Sequence, residues 1–384
     1  MKSDAPQPRN KSGARTRTAR LALAIALISG GCTAMNAYYN PQKPHHTAQG
    51  FRNKYLEGEI GGSFLKWQWE RLVQGLPKSP ENGYRFPVVK PDVAWLKANR
   101  TQTAATWIGH ATVLVQLNGV NLLTDPIFSE RASPFKFAGA QRKVPPALNY
   151  EQLPRIDIVL ISHNHYDHLD RDSVVRLNAQ EGGPPLFLVP LGIKAWMNDI
   201  GITNVRELDW WDKVEAKGLE LHFVPVQHWS ARGINDRFTT LWGGWVTKTA
   251  DSAARPFSFF FAGDTGYSKD FSDIGKKFAS FDLALLPIGA YAPRWFMSRQ
   301  HVDPAEAVKV HRDIGSKQSM AIHWGTFELT DEALDEPPKV LEAEMKKANL
   351  PQEQFAVVKH GEMMRFGADV AQAPTRMAFL DWFK

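Results

Sequence analysis

One junction constrains this chain more than anything else in it. Ile156-Asp157-Ile158-Val159-Leu160-Ile161 runs straight into Ser162-His163-Asn164-His165-Tyr166-Asp167-His168-Leu169-Asp170. The first segment reads as a strand covered on both faces, because its apolar run barely alternates with polar residues. The second sets three imidazoles and the carboxylate of Asp167 within six residues at that strand's C-terminal end. Such groups are costly to bury unpaired and pack poorly. A divalent metal resolves the difficulty, since neutral imidazole nitrogen and carboxylate oxygen are ligands that Zn²⁺ takes. His163 and His165, two residues apart, can reach one ion; Asp167 and His168, on the following turn, can reach a second.

The surrounding pattern is regular from about Thr103. Ala104–Ile108 and Thr112–Leu117 read as strands, Asn118-Gly119 as a hairpin turn and Val120–Thr124 as the returning strand. Further strands are expected at 186–189, 219–224, 241–247, 257–262, 283–287, 320–323 and 355–358. Helices are expected at 172–179, 193–200, 304–313 and 339–348. Strands interleaved with helices predict an α/β layered domain, with two sheets in the middle and helices outside.

The 384 residues allow one large or two ordinary domains with ample core. The single cysteine excludes an intramolecular disulfide and any multi-cysteine zinc site. Of the net charge of +6, residues 1–20 carry +5, so the remainder of the chain carries +1. That body has no electrostatic case for binding nucleic acid.

The basic start is followed by the apolar run Leu21–Ile28 and then Ser29-Gly30-Gly31-Cys32. This is signal-peptide patterning, and the run is too short for a spanning helix, which needs about 20 residues. With the lone cysteine directly after small residues, residues 1–31 resemble a bacterial lipoprotein signal, with Cys32 as the acylated mature N-terminus. The expectation is an exported lipoprotein held on a membrane surface at the periplasmic side of the cell envelope.

His-x-His-x-Asp-His after an apolar strand resembles the metallo-β-lactamase superfamily signature. The resemblance implies an αββα sandwich of two mixed sheets flanked by helices, carrying a dinuclear centre. It assigns His163, His165 and His228 to one Zn²⁺, and Asp167, His168 and His323 to the other, with Asp264 bridging. His228 lies in Val226-Gln227-His228-Trp229, Asp264 in Phe261-Ala262-Gly263-Asp264-Thr265-Gly266, and His323 in Ala321-Ile322-His323-Trp324-Gly325. Asp125, in Leu123-Thr124-Asp125-Pro126, is the candidate to orient a ligating imidazole from behind. On this reading residues 32–100 form a tether with an N-terminal helical extension, and 101–384 the hydrolase domain.

The match narrows further. Trp107-Ile108-Gly109-His110-Ala111-Thr112, Leu208-Asp209-Trp210-Trp211 and the run from Pro287 through Pro293-Arg294-Trp295-Phe296-Met297 to His301-Val302-Asp303-Pro304 resemble the N-acyl-phosphatidylethanolamine-hydrolysing phospholipase D family. Ala292 stands where that pattern leads one to expect an acidic residue. The resemblance implies hydrolysis of a membrane phospholipid at phosphorus, giving N-acylethanolamine and phosphatidic acid. Catalytic roles then fall to Asp167, Asp264 and His301. Tyr166, Trp229, Gln300 and His301 are expected to contact substrate, with Trp295, Phe296 and Met297 as candidates for an acyl groove and Arg294 as either a phosphate contact or a surface group. A hydrolase of another phosphodiester or a lactone, built on the same fold, is the alternative. A homo-oligomer is compatible with the sequence. The remaining histidines, His45, His46, His110, His222, His311 and His360, are read as structural.

Overall fold

The computed structural model describes Met1, residues 35–58, 63–77, 79–250, 253, 256–367 and Phe379. The expected signal segment and Cys32 lie outside the described residues. Two seven-stranded sheets make the body. The first runs, edge to edge, Val205–Leu208, Leu186–Pro190, Ile158–Leu160, Val120–Thr124, Thr112–Leu117, Thr103–Gly109, Met363–Phe366. The second runs Lys213–Ala216, Leu219–Val224, Gly244–Thr249, Ser258–Phe261, Leu283–Pro287, Ser319–Ile322, Phe355–Ala356. Both are mixed, with one half parallel and the other antiparallel.

The strand period explains the apolar runs. Ile158 and Leu160 join the core shared by the sheets, whereas Val159 and Ile161 face the helices Arg171–Asn178 and Ile193–Asp199 through Val174, Leu177 and Met197. Neither face of that strand meets water, so no polar alternation appears. The helices Asp270–Phe278, Pro304–Asp313 and Glu336–Lys347 cover the second sheet through Phe271, Ile274, Val310 and Leu341. The helix at 304–313 begins as its sequence demands: Pro304 at the first position, and Asp303 and Glu306 forming a reciprocal capping box. Among the described residues no helix is long and apolar enough to cross a membrane.

Parallel pairing also gathers the chemistry. Strands 103–109, 120–124 and 158–160 share one direction in the first sheet, and strands 219–224, 258–261, 283–287 and 319–322 share one in the second. His110, Asp125 and His163 therefore follow C-terminal strand ends on one edge of the first sheet, and His228, Asp264 and His323 follow C-terminal strand ends on one edge of the second. The Trp245 indole donates to the Ile161 carbonyl (2.8 Å) and the Gly243 amide to the Ser162 carbonyl (3.0 Å), which ties the two edges together.

One buried acid lies away from this edge. Asp270 accepts from the Ser268 hydroxyl (2.7 Å) through one oxygen, while the other is buried without a partner. Burial pushes its carboxyl up to about 6. A raised folded-state value gives stability that is complete below about pH 4 and lost as pH rises through 6. Asp270→Asn is therefore expected to unfold at higher urea than the parent at pH 8, by roughly 1–3 kcal/mol, with the difference vanishing toward pH 4.

Candidate metal centre

Two groups of donors converge between the sheets. His163, His165 and His228 form one; Asp167, His168 and His323, joined by His110, form the other. In the first, His163 Nε2 lies 2.8 Å and His228 Nε2 3.3 Å from His165 Nδ1. In the second, His168 Nε2 lies 3.2 Å from His323 Nε2 and 3.3 Å from Asp167 Oδ2. Asp264 lies between the groups: its Oδ2 is 3.1 Å from His168 Nε2 and 4.0 Å from His228 Nε2, and its Oδ1 is 3.1 Å from His323 Nε2.

The outer nitrogens show which inner nitrogens carry lone pairs. His168 Nδ1 donates to Asp125 Oδ2 (2.6 Å), and His228 Nδ1 donates to the Gln300 carbonyl (2.9 Å). The Ser162 hydroxyl donates to Asp125, which leaves its oxygen to accept from His163 Nδ1 (2.9 Å). In the neutral rings Nε2 is therefore unprotonated, and these lone pairs point at one another and at carboxylates. His165 turns Nδ1 toward His163 Nε2 and His228 Nε2, and its outer Nε2 is buried without a hydrogen-bond partner. A cluster of inward-facing acceptors is stable only around cations, so the donor set fits bound metal.

The electrostatics agree. Burial pushes His165 down to about 4 and His228 down to about 3, and holds His163 well below its ordinary value with help from the neighbouring imidazoles. Burial opposes ionisation of Asp167 and Asp264, but His168 beside both holds them well below the usual carboxylate range. Against the same burial, the two carboxylates raise His168 well above its ordinary value and His323 to about 9. In the metal-free chain, protons on these two rings thus take the position that a cation would occupy.

The local sequence makes this edge. Gly263, just before Asp264, has φ +62°, and a Cβ there would stand 2.5 Å from the Ser162 side chain. Three residues of the site that are not glycine also hold positive φ: His110 (52°), Asp125 (29°) and His323 (60°). Strain of this kind persists only where the surroundings over-determine it, as they do at working sites.

Asp125 is fully buried and takes the Ser162 amide on Oδ1 (2.7 Å) as well as the His168 ring on Oδ2. His301 Nδ1 is buried, unpartnered, and 3.8 Å from Asp264 Oδ2. Tyr166 lines a cleft of about 920 Å³ together with Phe128, Phe135, Trp196 and Arg232. Trp229 packs its ring edge-on against His165 at 4.3 Å. The side chain of Gln300 is turned to the Phe296 carbonyl and Met297 Sδ, so what this residue brings to the donors is its backbone oxygen. Arg294 is bound by Glu306 (2.7 Å), Asp303 (3.3 Å) and the His301 carbonyl (2.8 Å). Glu332 accepts from the amides of Ala290, Tyr291 and Ala292, holding from outside the loop where an acid was expected at 292.

Of the histidines read as structural, His110 stands at the donors. His110 Nε2 lies 3.0 Å from Asp167 Oδ2, which holds that carboxylate in place; its place in the segment Gly109-His110-Ala111-Thr112 was the available signal. His45 and His46 both meet the buried Asp209. By contrast His222 pairs with Glu220, His311 with Ser319, and His360 packs on Trp107.

The pattern of the beta-lactamase superfamily domain matches residues 120–324, which is more than half of the chain. The chain belongs to the metallo-β-lactamase superfamily. It is 41% identical over 271 residues to N-acyl-phosphatidylethanolamine-hydrolyzing phospholipase D 1 of Caenorhabditis elegans, covering 67% of this chain and 74% of that one. It is 30% identical to a metal-dependent hydrolase of Methanopyrus kandleri, over 67% of this chain and 97% of that protein. A yeast mitochondrial enzyme of the same phospholipase D name is 36% identical, and the match spans 62% of this chain but half of the yeast protein's length. Among solved structures, an isothiocyanate hydrolase from Delia radicum gut bacteria superposes with TM-score 0.54 at 22% identity, over 69% of this chain and all of that one. The protein is a metal-dependent hydrolase on this superfamily's fold.

Proposed function

We propose that the protein is a phospholipase D-type phosphodiesterase that uses two Zn²⁺ ions to cleave N-acyl-phosphatidylethanolamine-like lipids. The reading is carried by one observation: a helix with an exposed apolar face packs on the segment that carries the Gln300 carbonyl to the donor cluster. The helix Phe64–Gln74 buries Trp67 against Phe296 (4.9 Å) and anchors its indole on Asp331 (2.8 Å). Its outer face bears Phe64, Leu65, Trp69, Leu72 and Val73, each more than half exposed. Phe296 sits on the short helix that leads through Gln300 to His301. A contiguous exposed apolar face beside a phosphoester-cleaving centre suits a substrate presented by a lipid surface. The names of the worm and yeast relatives support the same lipid class.

In this reading His163, His165, His228 and Asp264 would hold one ion, and Asp167, His168, His323 and Asp264 the other. When bound, the pair supplies an activated water and a Lewis acid toward a phosphoryl oxygen. The protein's part is positional. Asp125 fixes the His168 ring, His110 holds Asp167, and the Gln300 carbonyl fixes the His228 ring. His301, whose Nδ1 is buried and unpartnered 3.8 Å from Asp264 Oδ2, would donate to a phosphoryl oxygen. Water's oxygen ends on phosphorus, and the headgroup oxygen leaves with a proton as N-acylethanolamine. Acylation at Cys32 would keep the enzyme at its substrate's surface.

The test is hydrolysis in ¹⁸O-labelled water with mass-spectrometric product analysis. Label is expected in phosphatidic acid, and treatment with a strong chelator is expected to abolish turnover until metal is restored. Label in a fatty acid or in N-acylethanolamine, or diacylglycerol as product, rules out the proposed bond.

A further inference from the structure

The stretch Asn36–Tyr55, within the expected tether, is bound to the domain. The Asn36 amide donates to the carbonyls of Thr47 and Gly50 and closes the strand pair His46–Thr47 and Gly50–Phe51 into a loop. His45 Nε2 lies 2.7 Å from Asp209 Oδ1, His46 Nε2 lies 2.9 Å from Asp209 Oδ2, and Lys43 meets the same carboxylate. Opposing groups hold Asp209 charged: burial acts against its ionisation, and His45 and Lys43 outweigh it, leaving it below the usual carboxylate range. The His45 ring stacks on Trp210 at 4.4 Å, and Phe51 is buried. At Gly50 a Cβ would fall 2.1 Å from the Phe238 carbonyl oxygen, so the loop lies flat on the domain only with glycine there.

This docking fixes the next residues. The Asn53 amide donates to the backbone carbonyl of His228 (2.8 Å), and its oxygen accepts the backbone N–H of the same residue (3.0 Å). The Trp242 indole donates to that oxygen as well (3.2 Å). His228 lies beyond the end of its strand at Val224 and one residue past the single bridge of Gln227 with Gly266, so its own backbone groups are bonded by Asn53 and not by a strand ladder. An amide bonding to both backbone groups of one residue does there what a neighbouring strand would do. His228 is thus held on two sides, its ring by the Gln300 carbonyl and its backbone by Asn53.

We infer that Asn53 is a positioning residue for the metal centre, setting the backbone of His228 so that its Nε2 meets His163 and His165. The N-terminal segment is then a working part of the site rather than a spacer. This inference rests on reading the cluster as a metal centre.

The experiment uses the full chain loaded with Zn²⁺ or Co²⁺ and titrated with a chromophoric chelator. Asn53→Ala is expected to weaken one of the two metals about tenfold or more, the range for groups that orient ligands, and to change the visible Co²⁺ absorption bands. Asn53→Asp keeps the acceptor for the His228 amide but sets a carboxylate oxygen against the His228 carbonyl, so a loss at least as large is expected; it carries the test if the alanine variant fails to fold. Tyr38→Phe removes the bond from Tyr38 to Glu207 (2.8 Å) in the same segment without touching His228. It is expected to lower thermal stability and leave metal affinity at the parent value. Parent-like metal affinity and spectra in Asn53→Ala overturn the inference alone. So does equal weakening by Tyr38→Phe, which would mark the effect as general stability. A parent chain that takes up no divalent metal overturns the reading of the centre, and this inference with it.

Discussion

Asp264→Ala is expected to lower turnover by more than about 100-fold, beyond the usual cost of altering a group that merely orients a ligand. It is also expected to remove at least one metal per chain. Asp264 is the carboxylate between the two donor groups, with oxygens 3.1 Å from His168 and from His323. Without it five imidazoles and Asp167 face one another, and too little negative charge remains to hold two divalent ions side by side. The effect separates from misfolding by comparing melting with and without metal. A ligand bound to the folded chain stabilises it by RT ln(1 + [L]/Kd). The parent is expected to gain several degrees on adding Zn²⁺, and the variant to gain little. A variant with two metals and parent turnover refutes the bridging role.

The donors of this centre were legible because they are dense and placed at strand ends. His163 to His168 lie within six residues, directly after an apolar run, and no packing role suits them. His110 was not legible in the same way, for the carboxylate it holds is 57 residues away. Asn53 lies 175 residues from His228, and His45 and His46 lie more than 160 from Asp209. A single asparagine in a polar stretch gives no sign of bonding a distant backbone.

The elements that the sequence reading missed or shifted have local causes. The edge strand Lys213–Ala216 alternates between exposed and half-buried residues and carries no apolar run. The helix Asp270–Phe278 holds Gly275 in its middle, a residue that argues against helix. That glycine is required, since a Cβ would meet the Asp313 carbonyl oxygen at 2.1 Å where the two helices pack. The strand expected from Leu241 begins only at Gly244, because Trp242 is held back by bonds to the Val226 carbonyl and Asn53. In each case a tertiary contact decides the structure, and one segment's sequence holds half of that contact.

Asp125→Asn is expected to damage the centre while keeping the fold, because it changes a tautomer and not a shape. Asp125 is an acceptor on both sides: Oδ1 takes the Ser162 amide, and Oδ2 takes His168 Nδ1 and the Ser162 hydroxyl, which can rotate. An asparagine that keeps its oxygen on the Ser162 amide presents its NH₂ to His168. Nδ1 must then accept, and the ring's proton moves to Nε2. That nitrogen faces Asp264, Asp167 and His323, so a lone pair meant for metal becomes a donor to a carboxylate. Turning the amide over restores His168 but sets NH₂ against the Ser162 N–H, a buried clash of donors costing about 1–3 kcal/mol. Either arrangement is expected to weaken metal binding at least 10–100-fold and to lower turnover by roughly 10²–10⁴, the scale of a wrong tautomer at a catalytic histidine. Asp125→Ala removes the acceptor altogether and takes it from three donors: the Ser162 amide, the Ser162 hydroxyl and His168 Nδ1. It is expected to lose stability in the metal-free chain, which Asp125→Asn largely retains in its first arrangement. Metal content, turnover and metal-free melting, measured on both variants, separate the two effects. An Asp125→Asn enzyme with full metal and parent turnover would show that the His168 proton is set by something other than this carboxylate.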